Sequence, residues 1–141
     1  MIVLDASAAV EWLLVREGGE QVAARMSDPD VSVHAPSPLC VEVAAALRGL
    51  VLGGHARPAR ASTALADLSM ADISLYDPTP LLSRAWELRD NLTIYDAVYV
   101  ALAEALGATL VTTDARVGRA SGVRARVDVI RTGRGRSRRP Q

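Results

Sequence analysis

The chain has 141 residues, half of them hydrophobic, which suits one domain with a sizeable buried core. No run approaches the ~20 uncharged apolar residues of a membrane helix, because charges or Gly/Pro interrupt each one. The formal net charge of zero hides a division: residues 1–120 carry nine Arg and fifteen Asp/Glu, a net −6, and residues 121–141 carry seven Arg and one Asp, a net +6.

All sixteen cations are Arg, and without Lys there is no Walker-type phosphate loop and no Schiff-base chemistry. Cys40, the one cysteine, rules out an internal disulfide, and its apolar neighbours predict a small core residue. The N-terminus runs straight into a strand-like segment without a basic n-region and apolar h-region, which predicts an unprocessed, cytoplasmic protein.

In chain order, Ile2-Val3-Leu4 predicts a short buried strand, followed by a helix from about Ser7 to Val15. A second helix is expected over Glu17 to Met26, with Val22, Ala23 and Met26 inward. Asp28-Pro29-Asp30 reads as a turn and Val31-Ser32-Val33 as a second strand. Pro38 suits the start of a long helix that Gly53-Gly54 ends, and Pro58 begins another to about Met70. Ile73 to Tyr76 alternates as a third strand. Thr79-Pro80 opens a helix to about Arg89, and Thr93 opens one from Ile94 to Leu106, stopped by Gly107. Thr109 to Thr112 is a fourth strand, a short helix follows Asp114, and Val127 to Ile130 is a fifth strand. His34 and His55 are expected at turns or on the surface.

Apolar strands separated by helices predict a parallel sheet covered on both faces. Residues 131–141 hold no apolar side chain able to pack, so a disordered basic tail with affinity for polyanions is expected.

Four carboxylates interrupt segments that otherwise read as buried. Asp5 ends Ile2-Val3-Leu4, and Glu42 sits between Leu39-Cys40-Val41 and Val43-Ala44-Ala45-Ala46-Leu47. Asp96 opens Ala97 to Ala103, and Asp114 closes Ala108 to Thr113. Duller roles compete. Asp5 suits a helix N-cap, although Ser7 is nearer the expected helix start and leaves Asp5 free. Thr93 and Asp96 fit a capping box, and Asp114 could cap the helix after it. Glu42 borders the apolar stripe of its helix, where Ala44 to Ala46 suggest close approach of another backbone. No Arg lies within four residues of Asp5, Glu42 or Asp96, and Arg116 is on the wrong side of a short turn to serve Asp114. Burying an ionised carboxylate costs several kcal/mol or more unless it is paired or metal-bound. If the four converge beyond the carboxyl ends of strands, a hard divalent cation such as Mg²⁺ or Mn²⁺ is the natural partner.

The chain resembles PIN-domain proteins, and in particular VapC-type toxins of bacterial toxin–antitoxin pairs. The matching stretches are Ile2-Val-Leu-Asp5-Ala-Ser7-Ala, Pro38-Leu-Cys-Val-Glu42-Val-Ala-Ala-Ala-Leu47, Tyr95-Asp96-Ala-Val-Tyr-Val-Ala-Leu-Ala-Glu-Ala-Leu-Gly107 and Leu110-Val-Thr-Thr-Asp114-Ala-Arg. The resemblance implies a three-layer α/β fold over residues 1–130, with a mostly parallel sheet of about five strands flanked by helices. It implies an endoribonuclease whose Asp5, Glu42, Asp96 and Asp114 hold Mg²⁺ or Mn²⁺, with Ser7 and Thr112 as small hydroxyls nearby. Some relatives carry a further acid soon after the last Asp, and Ala115-Arg116-Val117 supplies none. The implied partners are RNA, a small antitoxin and a second copy of the chain, with no membrane. Arg116 and Arg119 are candidate RNA contacts. Trp12, Leu13 and the helix at 58–70 either meet a protein partner or pack in the core.

Two other functions fit the residues less well. A haloacid-dehalogenase-like phosphatase would want a second acid where Ser7 stands, and a Lys. A non-catalytic RNA- or protein-binding domain would gain nothing from clustered acids.

Overall fold

In a computed structural model that describes residues 1–133, the chain alternates strands and helices. Its elements are β1 (Ile2–Leu4), α1 (Ala6–Leu13), α2 (Gly19–Met26), β2 (Val33–Pro36), α3 (Leu39–Leu52), α4 (Pro58–Met70), β3 (Ile73–Tyr76), a 3₁₀ turn (Thr79–Leu81), α5 (Leu82–Glu87), α6 (Ile94–Leu106), β4 (Thr109–Thr112), α7 (Ala115–Arg119) and β5 (Val127–Val129). The five strands form one sheet, parallel throughout, in the order β3-β2-β1-β4-β5. The expected fold class is therefore the observed one.

Short strands of three or four residues suffice because β1, β2 and most of β4 are buried on both faces. Right-handed crossovers place α1 to α4 on one face and α5 with α6 on the other. Accordingly α1 packs on α2, α3 and α4, whereas α6 packs on α5 and lies against β1, β2 and β4. The strand order reverses between β1 and β4, which is where an open parallel sheet leaves a crevice at its carboxyl edge.

Local chemistry sets most boundaries as expected. Thr93 caps α6 by accepting from the Asp96 amide at 3.2 Å, and Gly107 ends it at φ 63°, a left-handed conformation that glycine adopts without strain. Several boundaries shift: α1 ends at Leu13 instead of Val15, α2 begins at Gly19 instead of Glu17, and β5 ends at Val129 instead of Ile130. The Val31 amide donates to the Asp28 carbonyl at 3.0 Å to close the Asp28 turn, so β2 begins at Val33 instead of Val31. The segment after Thr79 opens as a 3₁₀ turn, and α5 ends at Glu87.

Three side-chain expectations are corrected. α3 turns Leu39, Val43 and Leu47 into the core, and that register leaves Cys40 exposed. The same register exposes Ala45 and Ala46, so no backbone lies close over them. His34 is buried in β2, where its Nε2 meets the Ser32 hydroxyl at 2.7 Å and its Nδ1 the Tyr76 hydroxyl at 2.8 Å. His55 is exposed as expected.

Of the apolar candidates near α1, Leu13 is buried and Trp12 packs partly against the core. Val15 and Met70 are exposed. Ion pairs brace the periphery: Arg25 of α2 holds Asp128 of β5, and Arg84 of α5 holds Glu104 of α6 while donating to the Gly122 carbonyl. No helix among the described residues is long and apolar enough to cross a membrane. The basic tail lies outside the described residues from position 134 onward, whereas the Arg131 carbonyl accepts from Gln21 at 3.1 Å.

Close approach of α1 and α2 depends on Gly19. A Cβ there would stand 2.5 Å from the Glu11 carbonyl oxygen, a backbone atom that cannot swing away. Gly19→Ala is expected to destabilise the fold by about 1–3 kcal/mol, the usual cost of overpacking. Urea unfolding checks this, and an unchanged midpoint would mean that the helices part freely.

Candidate active site

Asp5 follows β1 and lies 9 % exposed at the carboxyl edge of the sheet. It has the extended backbone of an N-cap, and its Oδ1 accepts from the Ala8 amide at 3.0 Å. Asp5, not Ser7, therefore caps α1, and Ser7 lies inside the first turn. From there the Ser7 hydroxyl donates to Asp5 Oδ1 at 2.7 Å and accepts from the Thr113 amide at 3.1 Å. The fully buried Thr112 hydroxyl donates to Asp5 Oδ2 and accepts from the Asp114 amide at 3.1 Å. All side-chain partners of the Asp5 carboxylate among the described residues are neutral. Burial pushes its pKa up, and the charge of Asp96 adds to the rise against those hydrogen bonds.

Glu42 stands in the first turn of α3, half-buried, and accepts from the Tyr99 hydroxyl at 3.3 Å. Desolvation raises its pKa, and the Asp5 and Asp96 charges raise it further. Tyr99 is pushed well above the ordinary phenol range by burial and by the Glu42 charge, so it remains a donor. Sequence reasoning missed Tyr99. Its signal was a polar atom one turn after Asp96 inside an apolar run.

Asp96 makes only half of the expected capping box. Its amide donates to Thr93, while its carboxylate has no hydrogen-bond or ion-pair partner among the described residues. Asp96 lines a cleft of about 360 Å³ together with Asp114, Arg116 and Arg89.

Asp114 differs from the other three. It caps α7, and Arg116 reaches back over the turn to hold it, Nε to Oδ1 at 3.1 Å and Nη2 to Oδ2 at 2.8 Å. The expectation that Arg116 is on the wrong side of the turn is thus overturned, because a two-residue separation suits a fork folded onto its own cap. This guanidinium holds the Asp114 carboxyl below the usual carboxylate range. Arg119 lies exposed on α7 and reinforces the effect.

The topology therefore brings Asp5, Glu42 and Asp96 within electrostatic reach of one another, and places Asp114 in the same cleft as Asp96 but already neutralised. Among the described residues no three acidic, His or Cys side chains form a ready cation cage. The donor chemistry nonetheless fits a hard cation: oxygen ligands only and, among the described residues, a buried carboxylate with no positive partner and a second carboxylate left without any.

The description "PIN domain" matches residues 2–123 of the chain. Ribonuclease VapC12 of Mycobacterium tuberculosis is 36% identical over 130 residues, covering 92% of this chain and 99% of that protein. Ribonuclease VapC3 of the same organism is 38% identical over 119 residues, covering 84% and 86%. The solved structure of Mycobacterium tuberculosis VapC20, described as a Sarcin-Ricin loop cleaving toxin, shares the fold at TM-score 0.63 and 16% identity, covering 87% of this chain and 96% of that one.

Without bound metal, the raised Asp5 pKa makes the folded chain hold a proton that the unfolded chain releases. Stability must then fall as pH rises from the ordinary carboxylate value through the raised one, by about 1.4 kcal/mol for each unit between them. Asp5→Asn keeps a cap oxygen and is expected to flatten this decline and raise the metal-free Tm at neutral pH, by about 3–5 °C per kcal/mol recovered. Thermal melts between pH 4 and pH 8 in EDTA test it, and parallel curves for the two proteins would refute it.

A buried acid at the switch point, the matched family model and relatives this similar over nearly the whole chain converge: the protein belongs to the PIN-domain family and groups with its VapC ribonucleases.

Proposed function

We propose that the chain is a divalent-metal-dependent endoribonuclease and the toxin of a toxin–antitoxin pair. The observation that carries this reading is the Asp5 carboxylate, buried beside Glu42 and Asp96 without a cationic side chain among the described residues, in a chain akin to proteins named ribonucleases. Asp5 and Asp96 would hold Mg²⁺ or Mn²⁺, with Glu42 and Asp114 completing the shell directly or through water. The cation, when bound, supplies positive charge opposite the phosphate oxygens and activates water.

The chain's own residues have separable tasks in this reading. Ser7 and Thr112 fix both Asp5 oxygens and so the direction in which its charge points. Glu42 is steadied by Tyr99 and has a raised pKa, which suits it to accept the proton of the attacking water as the phosphodiester P–O bond breaks. Arg116 and Arg119 flank the cleft and meet RNA phosphates. Arg116 exchanges the Asp114 carboxylate for a phosphate of like geometry, which frees Asp114 to join the shell.

An antitoxin and a second copy of the chain are the protein partners in this reading. The groove lined by Trp12, Val15 and Met70 offers them apolar surface. The compartment is the cytoplasm.

Incubation of the full chain with total RNA and Mn²⁺ or Mg²⁺ should yield defined fragments. Cleavage should vanish in EDTA and fall by roughly a hundredfold or more in Asp5→Asn. Undiminished cleavage under either condition would sink the proposal, and phosphate release from a small ester would favour a phosphatase instead. In the absence of RNA, millimolar Mg²⁺ should raise Tm, and Asp96→Asn should blunt that rise. A melting curve indifferent to Mg²⁺ would argue against the metal site.

A further inference from the structure

We propose that the cavity between the α1–α2 turn and the α3–α4 turn binds phosphates of single-stranded RNA, as a second contact outside the carboxylate cleft. This inference rests on the ribonuclease reading above and names where that site's substrate is held.

The cavity measures about 760 Å³, and Arg16, Arg57, Arg60 and His55 line it while no Asp or Glu does. That concentration is unusual for this chain, whose first 120 residues carry fifteen acids against nine Arg. Among the described residues Arg25, Arg84 and Arg116 form ion pairs with carboxylates. Of the other six arginines in that stretch, half converge on this one cavity.

Two of the three are braced without being neutralised. Arg60 Nη2 donates to the Leu13 carbonyl at 2.7 Å, and Arg16 Nη2 donates to the His55 carbonyl at 3.4 Å. Each bond spends one donor of a five-donor fork and leaves the charge intact. Arg57 makes no side-chain hydrogen bond among the described residues. The thirteen-residue α4 also begins here: Arg57 occupies its cap position without a side-chain cap, and Pro58 opens it. The amides of Ala59 and Arg60 are therefore first-turn donors, and both residues line the cavity. Donors of this kind with no carboxylate opposite suit an oxyanion with several free oxygens.

A phosphate of the substrate is the favoured occupant because the acids repel the same polyanion they would cut. The cavity lies along α1 from Asp5, and eight residues at ~1.5 Å each separate the two ends by about 12 Å. Strand segments flanking a cleaved bond can thus be held by cations while the bond itself faces carboxylates.

The test measures binding of a short fluorescent single-stranded RNA to the full chain in EDTA, over a range of salt concentrations. For Arg16→Gln/Arg57→Gln the slope of log affinity against log salt should flatten by about 1.4, since two fewer phosphates of a single strand are neutralised. Affinity at low salt should drop about tenfold. Arg48→Gln, an exposed arginine outside the cavity, controls for loss of surface charge and should change the slope far less. Equal slopes for wild type and the double variant, in a chain that does cleave RNA, overturn the cavity proposal alone. Absence of cleavage by the wild type overturns the ribonuclease reading, and absence of binding in EDTA by a wild type that does cleave overturns the cavity proposal alone. If the double variant keeps its RNA slope but loses affinity for a protein partner, the cavity serves carboxylates of that partner and the RNA assignment fails.

Discussion

The structure turns on a negative charge held at the carboxyl end of β1 with, among the described residues, only neutral donors around it. Asp5 is enclosed by the Ser7 hydroxyl, the Thr112 hydroxyl and the Ala8 amide, and its nearest charged neighbours are acids. The charge of Asp96 opposes ionisation of Asp5, and burial opposes it further. A fold selected for stability alone would have put asparagine or an arginine partner there. The parallel sheet supplies the place. Its order reverses between β1 and β4, so the ends of these two strands open side by side, and α1, α3 and α6 point their first turns towards them.

Four acids in the sequence play unequal parts. Glu42 shares the field of Asp5 and is restrained by a tyrosine, while Asp96 keeps a carboxylate without a partner among the described residues. Asp114 is paired with Arg116. The cleft thus contains a cation of its own, the Arg116 guanidinium. The arginines divide similarly, some tying helices together, as Arg84 does, and others gathered where no acid answers them.

Most of the architecture was legible because strand and helix signals agreed with their punctuation. Pro38, Pro58, Gly53-Gly54 and Gly107 mark boundaries that the structure keeps. What failed was mostly a question of which face a residue occupies. Cys40 lies among apolar neighbours in sequence, yet the inward stripe of α3 begins at Leu39 and passes it by. His34 is polar and looked like a turn residue, but hydroxyls from Ser32 and Tyr76 make its burial tolerable, and Tyr76 is forty-two residues away. The positions of the four acids were readable as interruptions of apolar runs. The neutralisation of Asp114 was not, because it depends on Arg116 folding back over α7's first turn. Tyr99 escaped notice for a related reason, since its partner Glu42 lies fifty-seven residues distant.

The hydroxyl clamp on Asp5 spans almost the whole chain: Ser7 and Thr112 are separated by 105 residues, and Asp5 and Thr112 by 107. A ribosome adding about 5–20 residues per second has β1 and α1 in hand several seconds or more before Thr112 exists. Through that interval the pocket lacks one wall, and contacts this distant in sequence are costly to close. The pocket's assembly is thereby deferred until the segment carrying Thr112 has been made.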